Sequence, residues 1–399
     1  MALDTRATKF RGVFKQSLVS LAVDLGGLLA GAIVATNLDL VQMARWTIML
    51  YPAIVSIRGT IGGVYTGHFS TGLHLGSMKP CLLGNTEDYK DLIVSLLALN
   101  TIASAFLWFF ALFVLAAMGE QPLPMLILLV GTTSLGFLAI APASTKVIVW
   151  GYKRGLDPDI SSYPIESTVA DVVVTICYVL LLWIYAVLGE LGLVLIGAFD
   201  LLYTATVVVL CASRRNRPNY ITVIKESTVA LFISSILVNI TGVLLVNISE
   251  AIQKVAVIFM VYPSIIDTTG DVGAIVGSML TTRLALGELG ASIRNIGKMF
   301  TEIGGTWLAS AIMFQVYGLI SWAAFGGWNL ETLARLCLML LTTNVMAALA
   351  IAVVAFVTAV LTYTRGLDPD SFVIPIESAL ADSLSTFSLL FSILLYGLG

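Results

Sequence analysis

Charge is what this chain has least of. Asp, Glu, Lys and Arg make up 11% of its 399 residues, against 58% hydrophobic. A soluble domain carries about 25% charged residues, so a water-soluble globular protein is excluded. No polar stretch is longer than a loop, which leaves no room for a separate soluble domain. Histidine is almost missing: His68 and His74 are too few for a metal cluster. Cysteine is scarce as well. Cys81, Cys177, Cys211 and Cys337 form no CxxC and have no His nearby, so neither a zinc site nor a disulfide framework is supported. They read as small apolar packing residues. No cleavable signal peptide is expected, because the first apolar run begins near Ser17 and is a full span without a small-residue cleavage pattern.

What remains is apolar length. The mean hydropathy is +0.97, and apolar runs of about 20 residues recur, long enough to cross a hydrocarbon core of about 30 Å. The chain reads as an all-α polytopic membrane protein with eleven spans. They fall at about 16–36, 46–75, 92–118, 123–149, 164–188, 191–212, 227–248, 255–286, 301–325, 331–362 and 375–397. With the N-terminus placed inside, 17 of the 21 basic residues lie on or next to that side, and only Arg45, Arg58, Lys254 and Arg335 do not. This bias fits the positive-inside rule and puts the C-terminus outside. A multi-pass protein of the plasma membrane, partnered by lipid and not by nucleic acid, is the expectation.

The chain also contains itself twice. YKRGLDPDISSYPIESTVAD from Tyr152 and YTRGLDPDSFVIPIESALAD from Tyr363 are 211 residues apart and identical at 13 of 20 positions. YPAIVSIRGTIGGVYTGHFSTGLHLG from Tyr51 and YPSIIDTTGDVGAIVGSMLTTRLALG from Tyr262 keep the same offset. FKQSLVSL from Phe14 and IKESTVAL from Ile224 are offset by 210. A fixed period means repeated structural units. The text divides into a first repeat at 1–190, a linker span and basic loop at 191–218, and a second repeat at 219–399. Each repeat has five spans, an odd number, and the linker span at 191–212 restores the orientation. The copies are therefore expected to be parallel, related by an axis along the membrane normal, so that a monomer acts as a pseudo-dimer.

The best-matched stretches place acids inside apolar segments. Asp171 and Asp382 sit about two turns beyond Pro164 and Pro375. A carboxylate near the bilayer centre costs about 2.5–3.5 kcal/mol on insertion scales, so such residues face a water-filled path or a partner. Two of them related by a pseudo-dyad repel unless a cation sits between, which suits a divalent ion in a pathway between the repeats. Ser167 and Ser378 lie four residues earlier on the same helical face and have oxygens to offer a hydrated ion. Glu166 and Glu377 lie five residues before each Asp, about 140° around the helix, so they point elsewhere, into an inner vestibule or to solvent. Asp157-Pro158-Asp159 and Asp368-Pro369-Asp370 read first as helix N-caps with Pro at the first helical position; the same acids would attract cations at an inner mouth. The second spans differ between copies. Asp267 and Asp271 stand where Ser56 and Thr60 stand, and Arg58 stands where Thr269 stands. An unpaired Arg in a membrane is costly, so Arg58 is expected to make a charged contact with Asp267, Asp271 or Asp24. Mg²⁺ is often held through its waters by one or two carboxylates, whereas transition metals favour His, Cys or Met. The transported ion is expected to be Mg²⁺, with Ca²⁺ and Mn²⁺ open.

At these residues the chain resembles the MgtE family of magnesium channels and the related eukaryotic SLC41 carriers. The matching text is LDPDISSYPIESTVAD and LDPDSFVIPIESALAD for the fifth membrane helix, and YPSIIDTTGDVGAIVGSMLTTRLALG for the second. The resemblance implies two copies of a five-helix pore domain, with the family's pore Asp at Asp171 and Asp382. It departs from the family where a Gly-Asn pair is replaced by Gly270-Asp271 and by Gly59-Thr60. The magnesium-sensing domains of MgtE are missing, so its gating does not carry over, and the fused layout is similar to SLC41 and related prokaryotic permeases. The rival readings are a Na⁺- or H⁺-coupled transporter of another solute and an intramembrane Mg²⁺-diphosphate enzyme. The enzyme is disfavoured, because it needs basic residues around a diphosphate and one asymmetric site.

Overall fold

A computed structural model describes residues 2–153, 158–251, 255–365 and 370–396. Among these residues every regular element is helical. The chain opens with α1 (Ala2–Leu21), a 3₁₀ turn (Ala22–Gly26), α2 (Gly27–Thr36) and the short α3 (Leu38–Val41). The long helices α4 (Arg45–His74), α5 (Glu87–Met118), α6 (Pro122–Lys153), α7 (Pro158–Leu188), α8 (Glu190–Arg214) and α9 (Pro218–Ala251) follow. Then come α10 (Val255–Ala285), α11 (Phe300–Phe325), α12 (Leu330–Thr364) and α13 (Asp370–Tyr396). Counting α1–α2 as one run, these helices stand in order where the eleven spans are expected. Among the described residues nine are long and apolar enough to cross a bilayer. The other two, α10 and α13, carry the intramembrane acids Asp267, Asp271, Glu377 and Asp382. The protein is an all-α polytopic membrane protein.

Local chemistry sets the ends of these helices. Thr86 Oγ1 accepts from the Tyr89 N–H at 3.4 Å, and Glu87 and Asp88 complement the dipole of α5. Gly119, with φ 71°, closes that helix in the left-handed conformation that favours glycine. Gly189, with φ 57°, is the single residue between α7 and α8. Inside the helices, hydroxyls return to the carbonyl one turn back, as Ser104 does to Asn100 at 2.9 Å and Thr133 to Leu129 at 2.9 Å. This satisfies polar groups where no water is available. On the outside, Leu201, Leu202, Val208 and Val209 of α8 are exposed, which suits a lipid-facing surface.

The chain divides into two compact units. The central unit, named for its place in the sequence, is Thr36–Gly242; the terminal unit is Met1–Ala35 with Val243–Gly399. The division does not follow the order of the copies, because the first helix of each copy packs with the later helices of the other. In the terminal unit α2 lies against α10. A Cβ on Gly31 would overlap the Met260 carbonyl oxygen, and one on Gly27 would stand 2.9 Å from Ser264 Oγ. Small residues four apart are what such a close backbone crossing needs. In the central unit Asn239 of α9 donates to the Leu107 carbonyl at 3.3 Å, and Phe232 packs edge-on against Phe106 and Phe110. The linker helix α8 belongs to the central unit. Tyr203 and Val207 pack on Leu97 and Ala98, and Arg214 reaches the buried Asp91 at 2.7 Å.

Both units repeat the same internal contacts at the 211-residue offset. Tyr51 hydroxyl meets Thr175 at 3.4 Å in one, and Tyr262 meets Thr386 at 2.9 Å in the other. Gly62 lies under the Glu166 carboxyl and Gly273 under that of Glu377. The pairing of α4 with α7 is thus reproduced by α10 with α13.

Candidate functional site

In the central unit α7 presents two buried acids. Asp171 is fully buried and is ion-paired with Arg58 of α4. The second guanidinium nitrogen of Arg58 donates to Ser167 Oγ at 3.2 Å, one turn before the Asp. Arg58 therefore has a charged partner within its own copy, Asp171, which is not among the acids expected for it. The reason is geometric: α4 and α7 are neighbours, and position 58 falls on the face of α4 that meets Asp171. Asp171 Oδ2 is buried without a hydrogen-bond partner among the described residues.

Glu166 is 2% exposed. Its Oε1 accepts from Ser144 Oγ at 3.4 Å, and its Oε2 has no partner among the described residues. A Cβ at position 62 would lie 2.6 Å from that Oε2, so Gly62 is what makes room for the carboxyl. Arg58, Glu166, Ser144, Tyr65 and Asn100 line one cavity, whose remaining walls are mostly apolar. Glu166 thus turns into the interior of its own unit.

In the terminal unit Glu377 repeats the arrangement, 2% exposed, with neither carboxyl oxygen bonded among the described residues. A Cβ on Gly273 would stand 3.0 Å from its Cδ. Asp382 is half-buried, and its backbone carbonyl accepts from Thr386 Oγ1 at 2.6 Å. Thr269, which replaces Arg58 in this copy, turns its hydroxyl back to the Ile265 carbonyl at 2.8 Å. The two copies therefore share their acids but not the cation beside them.

Asp267 and Asp271 are half-buried on α10. Nearby in the same unit, the 3₁₀ turn between α1 and α2 holds Asp24 4% exposed. Thr268 Oγ1 donates to Asp24 Oδ2 at 2.7 Å and meets the Tyr317 hydroxyl at 2.8 Å. Sequence reasoning misses both hydroxyls, although an intramembrane Thr between two Asp is a visible signal. Asp157, Asp368 and Pro369 lie outside the described residues, and so do the side chains of Asp159, Asp370 and Ser378. Among the described residues no three His, Cys, Asp or Glu side chains converge as a metal-binding set.

The model of one family, MgtE divalent cation transporters, matches residues 51–181 and 262–392. Both ends of the match keep the internal spacing, since 262 − 51 and 392 − 181 are each 211. The matched stretches hold Arg58, Glu166 and Asp171 in one copy and Asp267, Asp271, Glu377 and Asp382 in the other. No curated protein and no solved structure matches the chain. With the two matches together covering well over half of its length, and with buried acids paired at a common spacing, the chain belongs to the MgtE family of divalent cation transporters.

Proposed function

We propose that the transported ion is Mg²⁺ and that Asp171 and Asp382 are the carboxylates that hold it, through its water shell, during passage. The observation that carries this reading is the duplicated pair of intramembrane acids, Glu166 with Asp171 and Glu377 with Asp382, in the two stretches that match a divalent cation transporter family. Carboxylate oxygens without His, Cys or Met beside them suit a hard, strongly hydrated cation. Ser167, Ser378, Glu166, Glu377, Asp267 and Asp271 supply further oxygens along the path.

Arg58 gives the first copy a particular task. Its guanidinium compensates Asp171 while no ion is bound, so an arriving cation must displace or share it. Arg58 borders the same cavity as Glu166. Asp382, with Thr269 at the matching position, faces no such exchange with an arginine at that position. The chain works as a monomer in the plasma membrane, with the N-terminus inside and the C-terminus outside, as its basic residues favour.

Mg²⁺ flux into proteoliposomes tests this. Asp171→Asn and Asp382→Asn keep shape and remove a charge. Hydrogen bonds to charged groups are worth about 1.5–3 kcal/mol each, and about 1.4 kcal/mol is a factor of ten. Each variant is therefore expected to lose about tenfold or more, and the double variant nearly all flux. Wild-type flux in a well-folded double variant refutes the assignment.

A further inference from the structure

Glu166 and its glycine berth are common to both copies, whereas the residues around them are not. Glu377 and Gly273 stand at the offset of 211 from Glu166 and Gly62. At the same offset Arg58 becomes Thr269, Tyr65 becomes Val276, Asn100 becomes Ala311, Ser144 becomes Ala355 and Thr145 becomes Phe356. Val276, Ala355 and Phe356 are fully buried, so the second copy packs apolar groups at these positions. The copy that has the arginine is thus the copy with polar cavity walls. The copy without it has apolar side chains in their place.

The polar groups of this cavity direct their protons elsewhere. Thr145 has one hydroxyl proton, and it donates to the Ala141 carbonyl at 2.7 Å. Its contact with the Tyr65 hydroxyl at 2.6 Å then requires the tyrosine to donate to Thr145. Ser144 donates to Glu166 Oε1 at 3.4 Å, and Asn100 donates to the Tyr203 hydroxyl at 3.3 Å. What Tyr65, Asn100 and Ser144 have left is mainly lone pairs. Beside them is Glu166 Oε2, buried and without a hydrogen-bond partner among the described residues. Acceptors gathered around an unpartnered carboxyl suit a cationic donor. A guanidinium, with five N–H donors and no acceptor, is the side chain that fits.

Arg58 already lines this cavity. Gly62, which makes room for the Glu166 carboxyl, lies one turn further along the same face of α4. Arg58 is bonded to Ser167 and Asp171, and Glu166 directly precedes Ser167 on α7. Passing from Asp171 to Glu166 is therefore a turn of one long side chain, with α4 and α7 held still. A guanidinium that an ion displaces needs another acid at this depth, because an unpaired arginine in a membrane is costly.

We propose that Glu166 and the polar walls around it receive the Arg58 guanidinium when an ion takes Asp171, so that the arginine alternates between two acids of α7. Glu166 is then a positioning residue, which serves the ion by holding the arginine off Asp171. In the terminal unit Thr269 and the apolar set stand at the matching positions, and Glu377 has no arginine from that position to receive. The exchange rests on the reading that Asp171 holds the ion. The receiving site does not, because removing the charge of Asp171 should move the arginine with no ion present.

Two measurements on the full chain test this. The first is equilibrium unfolding in mixed micelles with EDTA, as a double-mutant cycle of Arg58→Thr and Glu166→Gln. The cycle is run with Asp171 present and again in the Asp171→Asn background. The coupling between Arg58 and Glu166, read as a factor on the unfolding equilibrium constant, is expected to be about tenfold larger or more in the Asp171→Asn background. A coupling that is the same in both backgrounds overturns the receiving site. The second is Mg²⁺ binding by calorimetry in lipid nanodiscs. Glu166→Gln is expected to weaken binding about tenfold or more with Arg58 present, and less than about threefold in the Arg58→Thr background. The same large loss in both overturns the exchange, since Glu166 would then hold the ion itself. Should the wild type not bind Mg²⁺, the ion reading falls, and the unfolding cycle alone decides whether Glu166 receives the arginine.

Discussion

Replacing Arg58 by threonine, the residue of the other copy, tests the central ion pair most sharply. Arg58 is 8% exposed and Asp171 fully buried, so the change strands a carboxylate in a medium that solvates it poorly. Removing one partner of a buried ion pair costs about 3–5 kcal/mol in soluble proteins. Polar contacts between membrane helices average only about 0.6 kcal/mol with a maximum of about 1.7, because the membrane-embedded unfolded state also finds partners. A charged pair with one partner wholly buried belongs above that ceiling, so a coupling energy of about 2 kcal/mol or more is expected. Arg58 also donates to Ser167; a double-mutant cycle of Arg58→Thr, Asp171→Asn and the combined variant isolates the pair from that bond. The assay is equilibrium unfolding in mixed micelles, in EDTA and in Mg²⁺. A ligand at a hundred times its Kd stabilises by about 2.7 kcal/mol. Mg²⁺ should therefore repair most of the Arg58→Thr deficit while helping the wild type less, since there the ion must first displace a guanidinium. A coupling energy below about 0.6 kcal/mol, the average of neutral contacts, refutes the ion-pair argument. Equal stabilisation of both proteins by Mg²⁺ refutes the competition between Arg58 and the ion.

Other expectations are independent of this pair. Gly31→Ala drives a methyl into the Met260 carbonyl and should cost about 1–3 kcal/mol by overpacking; Gly12→Ala, which meets nothing within 4 Å, should be neutral or stabilising by about 0.5–1 kcal/mol. Thermal unfolding in detergent that ranks the two equally contradicts the close crossing of α2 and α10. Asp91 accepts from Arg214 at 2.7 Å and Arg217 at 3.0 Å while only 1% exposed. Asp91→Asn should lower stability by about 1.5–3 kcal/mol, and an unchanged melting temperature counts against a structural role for that cluster.

The span count and the duplication are legible in the sequence because both are written in long patterns. Apolar runs of about 20 residues have few other physical uses, and a constant offset of 211 needs no structure to be seen. Gly189 and Gly119 mark helix ends in the way their residue type foretells. The partner choices are less legible. That Arg58 is unusual follows from Thr269 standing at the matching position; that it meets Asp171 follows only from the packing of α4 on α7. A helical-angle argument turns Glu166 away from Asp171, and it does not show that Gly62 leaves a berth for the carboxyl. The grouping of each copy's first helix with the other copy's remainder is not legible at all. Sequence identity reports common descent, and a swapped helix makes the same contacts as an unswapped one.

Fusion is what lets the two copies differ. In a homodimer one sequence writes both subunits, so Arg58 would appear twice and each of the two matched Asp residues would face a guanidinium. Asp267 and Asp271 would also appear twice, doubling the intramembrane acids at a cost of about 2.5–3.5 kcal/mol each on insertion scales. Neither change is tolerable in duplicate if the carboxylates serve a divalent ion. A single chain escapes this constraint. It can place the tethered cation in one copy, where Asp171 is, and the additional acids in the other, where Thr268 donates to Asp24. Each feature would be harmful where the other stands, so the position of the arginine matters and not only its presence. Moving it, by Arg58→Thr with Thr269→Arg, leaves the total charge of the chain unchanged. The move strips Asp171 of its cation and sets a guanidinium on α10, two residues from both Asp267 and Asp271, acids that the first copy does not have beside Arg58. A long arginine side chain can turn to either of them. The double variant should therefore not restore the Mg²⁺ flux lost in Arg58→Thr when both are measured in proteoliposomes. Wild-type flux in a well-folded double variant would show that the copies are interchangeable at this position and would refute the account.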